Sequence, residues 1–203
     1  GGVHPATYEF LKGVRDLCNQ YDAVLIYDEV QCGMGRTGTL FCHMQYPDCA
    51  PDVFTTAKGL AGGLPMGAFF VNEKVENVLQ PGDHASTFGG NPVVAAAANA
   101  VMDVINEENL LDTVKENSCY LIESLKKLQQ KYSAIKDVRG SGFLLGIEID
   151  YSAAELVLEL LEHHIVTVPA GTSVVRLLPP LTIKKEEIDL VLEALEQIFK
   201  KRT

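Results

Sequence analysis

An α/β unit followed by a smaller α+β unit is what this sequence predicts, and two patterns carry that expectation. In the first half, Ala23-Val-Leu-Ile-Tyr-Asp28 and Asp52-Val-Phe-Thr-Thr-Ala-Lys58 are mainly apolar, strand-like runs that each end in a charge. Uninterrupted runs of this kind suit strands covered on both faces, as in a mostly parallel sheet. In the second half, Phe143, Leu145, Ile147 and Ile149 alternate with Leu144, Gly146, Glu148 and Asp150, the period of a sheet with one face to solvent.

Taken in order, Phe10, Leu11, Val14, Leu17 and Cys18 recur at helical spacing after Pro5, so a helix leads into the strand that ends at Asp28. A glycine-rich stretch from Gly33 to Gly38 and a Pro- and Asp-punctuated loop separate it from the short strand ending near Lys58. Gly62-Gly63 and Pro65 stop any helix there, and Ala68-Phe-Phe-Val71 reads as another strand. Asn91-Pro92 predicts a helix start, a side-chain cap followed by proline in the first turn, with Ala95 to Ala98 small enough for close packing. A long amphipathic helix from about Asn109 carries Leu110, Leu111, Val114, Leu121, Leu125 and Leu128. After the alternating strand, Ser152 and Glu155 form a capping box ahead of Leu156, Val157, Leu160 and Leu161. Strands around Ile165 to Val168 and Val174 to Leu178 precede a last helix with Ile188, Val191, Leu192, Leu195, Ile198 and Phe199 on one stripe. The second unit thus reads βαββα, and the division falls between residues 1–110 and 111–203.

The 203 residues, 47% hydrophobic and 22% charged, can bury a substantial core. A net charge of −10 repels phosphate backbones and anionic lipid, and the one basic cluster is the short Lys200-Lys201-Arg202 tail, so neither nucleic acid nor a membrane is an expected partner. Five cysteines without a C-x-x-C pair predict reduced, mostly buried thiols in a reducing compartment. No run reaches the length of a membrane span and the start lacks a signal-peptide pattern, although Gly1-Gly2-Val3-His4-Pro5 begins abruptly. His163-His164 read as a solvated helix cap, and no His/Cys/Asp spacing suggests a metal.

Asp28 and Lys58 stand where α/β sheets bind ligands, at the carboxyl ends of strands. Burying a lone charge is unfavourable, so each needs a partner: the other, as a plain ion pair, or something bound between them.

Further blocks bear on that choice. Ile26-Tyr27-Asp28-Glu29-Val30, Gly33, Arg36-Thr37-Gly38, Asp52-Val53, Ala57-Lys58 and Gly62-Gly63 follow one another in order, then Thr87-Phe88-Gly89-Gly90-Asn91-Pro92 and Val175-Arg176-Leu177-Leu178-Pro179-Pro180-Leu181. Together they resemble the class-III pyridoxal-phosphate aminotransferases over the whole chain. The resemblance implies part of fold type I, with a segment of the large mostly parallel domain and a small C-terminal α+β domain. It implies pyridoxal 5'-phosphate held by Lys58 as an internal Schiff base, with Lys58 then serving as acid and base. Asp28 would face the pyridine nitrogen and keep it protonated. Gln31 would hydrogen-bond the ring hydroxyl, and Thr87 would reach the cofactor phosphate from a neighbouring subunit, near a helix start whose N–H groups favour anions. Arg176 would bind the substrate carboxylate through its planar fork, and Arg139 reads as structural.

Within the family, the blocks at Thr87–Pro92, Ser141–Glu148 and Arg176–Leu181 look most like acetylornithine aminotransferases of arginine biosynthesis, with ornithine and 4-aminobutyrate aminotransferases next. A non-catalytic scaffold with the same fold is the reading from another class. Family members are longer, and their first half carries a phosphate cradle and a ring-stacking aromatic residue. The chain therefore looks like the C-terminal half of such an enzyme, completed by an N-terminal half and forming a homodimer. The cytoplasm is the expected compartment, or an organelle matrix if a transit peptide preceded the chain.

Overall fold

Helix α1 (Tyr8–Gln20) starts where the Thr7 hydroxyl accepts from the Phe10 N–H at 3.3 Å, a side-chain cap for an otherwise unpaired donor. The computed structural model describes residues 2–202, in two compact units: Ala6–Leu111, and residues 112–202 joined by residues 2–5. In the first unit α1 leads to β1 (Ile26–Asp28), and two short 3-10 turns precede β2 (Val53–Thr56). A third turn, Lys58–Ala61, and β3 (Ala68–Val71) follow, and α2 (Pro92–Glu107) closes the unit. The sheet order is β1-β2-β3, with β1 and β2 parallel and β3 antiparallel to β2. The cross-strand pair Phe54 and Phe70 stacks at 4.6 Å, with Phe41 against both rings.

Asp52 ties this sheet together from a buried position. Its carboxylate accepts from the Leu25 N–H at 2.8 Å and the Asn72 amide at 3.0 Å, and pairs with buried Arg15 at 3.1 Å. Asn91 caps α2 as expected, its Oδ1 accepting from the Val93 and Val94 N–H groups at 3.0 and 3.3 Å. The helix packs on the turn after Lys58, where Gly62 leaves room for Val101.

Two expectations need correction here. The α1 stripe is not a core stripe among the described residues: Phe10 is 63% and Leu17 55% exposed, and the helix instead buries Arg15. Nor are the first-unit strands covered on both faces, since Ile26, Phe69, Phe70 and Val71 are all exposed.

The second unit is built on α3 (Leu110–Lys131), which begins at the division and buries Val114, Leu121, Leu125 and Leu128. Then come β4 (Ile135–Ser141), β5 (Leu144–Ile149), α4 (Ala153–Glu162), β6 (Val168–Pro169), β7 (Val174–Leu177) and α5 (Lys185–Lys201). The antiparallel sheet runs β4-β5-β7-β6. Phe143, Leu145, Ile147 and Ile149 point into one core with Leu156, Leu160, Ile188, Leu195, Ile198 and Phe199, as the alternation and the final stripe require. After α3 the unit therefore runs ββαββα, with β4 the strand that periodicity did not reveal. A register shift between Ile135 and Asp137 puts its inward residues Ile135 and Val138 three positions apart, which hides the period of two. The capping box is also absent: Ser152 makes no side-chain cap, and the Glu155 carboxylate reaches Arg202 at 3.3 Å. Gly2 and Val3 lie on this unit, the Gly2 carbonyl accepting from Arg139 Nε at 2.8 Å.

Candidate active site

Because β1 and β2 run parallel with Asp28 opposite Thr55, Asp28 and Lys58 leave the sheet at the same edge. Lys58 is not on the strand itself. It opens the 3-10 turn two residues beyond Thr56 at φ +49, a left-handed conformation that a lysine adopts only when its surroundings impose it. Asp28 is held by a local turn, its Oδ1 accepting from the Val30 N–H at 2.9 Å and lying 3.5 Å from Thr55 Oγ1. Contrary to expectation, both side chains are exposed. Among the described residues no ion pair joins them, which removes the plain salt bridge as their explanation.

Gln31 follows Asp28 in the loop and is half-buried. Glu29 fixes that loop. Its buried carboxylate accepts from the Cys42 N–H, from the His43 N–H at 2.8 Å and pairs with His43 Nδ1 at 2.7 Å, while its carbonyl accepts from the Gly33 N–H at 2.9 Å. A Cβ on Gly33 would meet that carbonyl oxygen at 2.9 Å, so the close approach needs glycine. In the sequence Glu29 stands out only as part of a motif, and its place directly after Asp28 at the strand end is the available signal.

Thr87 sits in an exposed turn before α2. The Val93 and Val94 N–H groups expected to favour an anion beside it are occupied by Asn91 Oδ1, which corrects that part of the expectation. Arg176 belongs to the second unit, on β7 opposite Gly146 and Val168. It is half-buried and lines a largely apolar cavity of about 360 Å³ together with Thr167, Pro179, Pro180 and Ile183. Arg139 pairs with Asp137 and Glu148 across β4 and β5, a structural role. No cluster of metal-binding side chains exists among the described residues.

An aldehyde cofactor needs a primary amine free of carboxylate partners, and a pyridine nitrogen needs a carboxylate that is accessible. Lys58 and Asp28 meet both requirements on one sheet edge, so the residues present fit such a group.

Comparison with known proteins points the same way. The family described as aminotransferase class-III matches residues 1–199. An acetylornithine aminotransferase of Methanocaldococcus jannaschii is 45% identical over 199 residues, covering 98% of this chain and 50% of that protein. One from Clostridium acetobutylicum is 43% identical over 201 residues, 98% of this chain and 52% of the relative. The chain thus spans about half the length of these relatives. Among solved structures, an ornithine aminotransferase of Plasmodium yoelii superposes with a TM-score of 0.93 at 34% identity, covering 100% of this chain and 54% of its own. An acetylornithine aminotransferase of Elizabethkingia anophelis gives 0.89 at 34%, over 96% and 50%.

Proposed function

The chain belongs to the class-III aminotransferases, and from that premise we propose that it is the C-terminal half of a pyridoxal-phosphate enzyme moving an amino group from N-acetylornithine to 2-oxoglutarate. The products are the N-acetyl semialdehyde and glutamate. The observation that carries this reading is the pairing of an accessible amine, Lys58, with an accessible carboxylate, Asp28, at the carboxyl edge of two parallel strands. When bound, the cofactor supplies an electron sink for the carbon that loses its proton.

Lys58 Nζ would hold the cofactor and would serve as the base that takes up and returns the moving proton. The Asp28 carboxylate would hold a proton at the ring nitrogen. Gln31 would donate to the ring hydroxyl and Thr87 to the phosphate, the latter from the second subunit of a homodimer. Arg176 would bind the substrate carboxylate with two parallel hydrogen bonds. In this reading the first unit is the end of the large domain and the second the small domain, and the preceding half of the polypeptide supplies the rest of the site. Relatives named acetylornithine aminotransferase at 43–45% identity favour that substrate. The ornithine aminotransferase likeness, at 34%, makes ornithine the second candidate. Cytoplasm is the compartment we assign; no helix among the described residues is long and apolar enough to cross a membrane.

The test is to produce the chain together with the half that precedes it in its relatives, add pyridoxal phosphate, and record the visible spectrum and glutamate formation. A visible band that disappears in Lys58→Ala, and N-acetylornithine turnover well above ornithine and 4-aminobutyrate, are the expected results. A protein that folds and dimerises yet shows neither band nor turnover is the scaffold alternative.

A further inference from the structure

Two thiols that the cofactor reading leaves unused meet behind the Asp28 strand end. Cys32 and Cys42 stand at opposite ends of the glycine-rich loop, both half-buried and reduced. Glu29 holds both ends: its carbonyl accepts from the N–H of Gly33, next to Cys32, and its carboxylate accepts from the N–H of Cys42. The Cys32 thiol lies within reach of two acceptors, the Asp28 carbonyl oxygen at 3.8 Å and the Cys42 sulfur. Gln45 Nε2 approaches the same Cys42 sulfur at 3.9 Å.

These contacts make the two thiols unequal. The hydrogen bond from Cys32 draws the Cys42 thiol down to about 7 against the opposing effect of burial. The same contact, with burial, pushes Cys32 up. Of the other cysteines, burial raises Cys49 and the neighbouring Glu123 raises Cys119. A sulfur that is partly thiolate near neutral pH, with a second thiol against it, is the arrangement of an attacking and a resolving cysteine.

We infer that Cys32 and Cys42 are a dithiol that a small-molecule disulfide of the glutathione class oxidises to an intramolecular disulfide, closing the glycine-rich loop behind Asp28 and Gln31. The Cys42 thiolate attacks one sulfur of the small disulfide, whose S–S bond breaks and releases one thiolate. Cys32 passes its proton to that departing thiolate and attacks Cys42 Sγ, expelling the other half as a thiolate that takes from water the proton Cys42 had released on ionising. Two protein thiols are oxidised and one disulfide is reduced to two thiols. None of this depends on the cofactor reading, since the step uses only the two cysteines.

The test is peptide mapping of the folded protein carrying this chain after exposure to glutathione disulfide. Trypsin cuts at Arg36, between the cysteines, so Asp16–Arg36 and Thr37–Lys58 stay joined only through a disulfide. We expect the joined pair, released by dithiothreitol, with fragmentation assigning the link to Cys32 and Cys42. Because Cys18 and Cys49 lie in the same peptides, the link must persist in a Cys18→Ser, Cys49→Ser protein and vanish in Cys42→Ser. Cys32→Ala should slow alkylation of Cys42 at neutral pH by about tenfold, an effect that a merely structural cysteine would not produce. Mixed disulfide on exposed Cys119 with the two peptides unlinked overturns the inference, and that mapping needs no variant to fold.

Discussion

At the scale of the residue, Lys58 joins a proposed role to a strained backbone position. Its φ of +49 costs a non-glycine residue about 1–2 kcal/mol, while glycine there forfeits about 0.5–1 kcal/mol through its freer unfolded chain. Lys58→Gly should therefore leave stability unchanged or raise it by up to about 1 kcal/mol in urea denaturation, while abolishing the visible band of the loaded enzyme. A clear loss of stability would show that the lysine side chain, not its chemistry, is what the turn requires. The roles proposed for Lys58 and Asp28 rest on their residue types and order, which suit the chemistry. Their exposure was not legible, because what covers a strand end depends on chain that the pattern does not contain. Asp52 was legible only as a motif letter. Burial pushes its carboxyl up, but the Leu25 N–H, Asn72 and Arg15 together outweigh burial and hold it below the usual range. The native state then binds fewer protons than the unfolded chain in acid. The resulting stabilisation is complete above about pH 5 and is lost as pH falls through about 4 and below. Asp52→Ala should cost about 3–5 kcal/mol, since Arg15 is left buried without its carboxylate, and should flatten the acid limb of the stability profile measured by denaturant titration.

At the scale of the element, legibility followed how local the determining force was. The α2 cap was readable because Asn91 and Pro92 satisfy or dispense with the first N–H groups within one turn. The β5 alternation was readable because each inward residue reaches the same core. The Ser152 capping box was misread because its Glu155 is claimed by Arg202, distant in sequence. Strand β4 was missed because of its irregular register, and the β4–β5 hairpin depends on a residue with no hydrophobic signal at all. Gly140 has φ +137, and a Cβ there would meet the Leu144 carbonyl oxygen at 2.1 Å. Gly140→Ala should cost on the order of 3 kcal/mol or more, strain and clash together. Gly171→Ala, at φ +109 with nothing near its Cβ, should cost only on the order of 1 kcal/mol. Comparable urea midpoints for the two would mean that the hairpin gives way around the new methyl group.

At the scale of the whole molecule, the described residues leave two apolar surfaces without cover in the first unit. One is the β3 face carrying Phe69 and Val71, and the other is α1, through Phe10 and Leu17. Scattered exposed side chains are ordinary, but contiguous apolar strand and helix faces drive association when nothing covers them. β1 is also an edge strand whose outer N–H and C=O groups are open to pairing. The second unit encloses a core between its sheet and three helices, with Leu158, Leu161, Val166 and Leu190 left exposed outside it. The chain produced alone should therefore bind an apolar dye and elute as heterogeneous aggregate on size exclusion. Produced with the half that precedes it in its relatives, it should elute as a defined dimer with dye binding lost. The phosphate contact assigned to Thr87 makes the dimer a matter of activity as well as solubility: mixing an inactive Lys58→Ala protein with an inactive Thr87→Ala protein should restore part of the turnover, as each hybrid contains one intact site. A lone chain that is monodisperse and dye-silent would show that these faces are stable in water without a covering half.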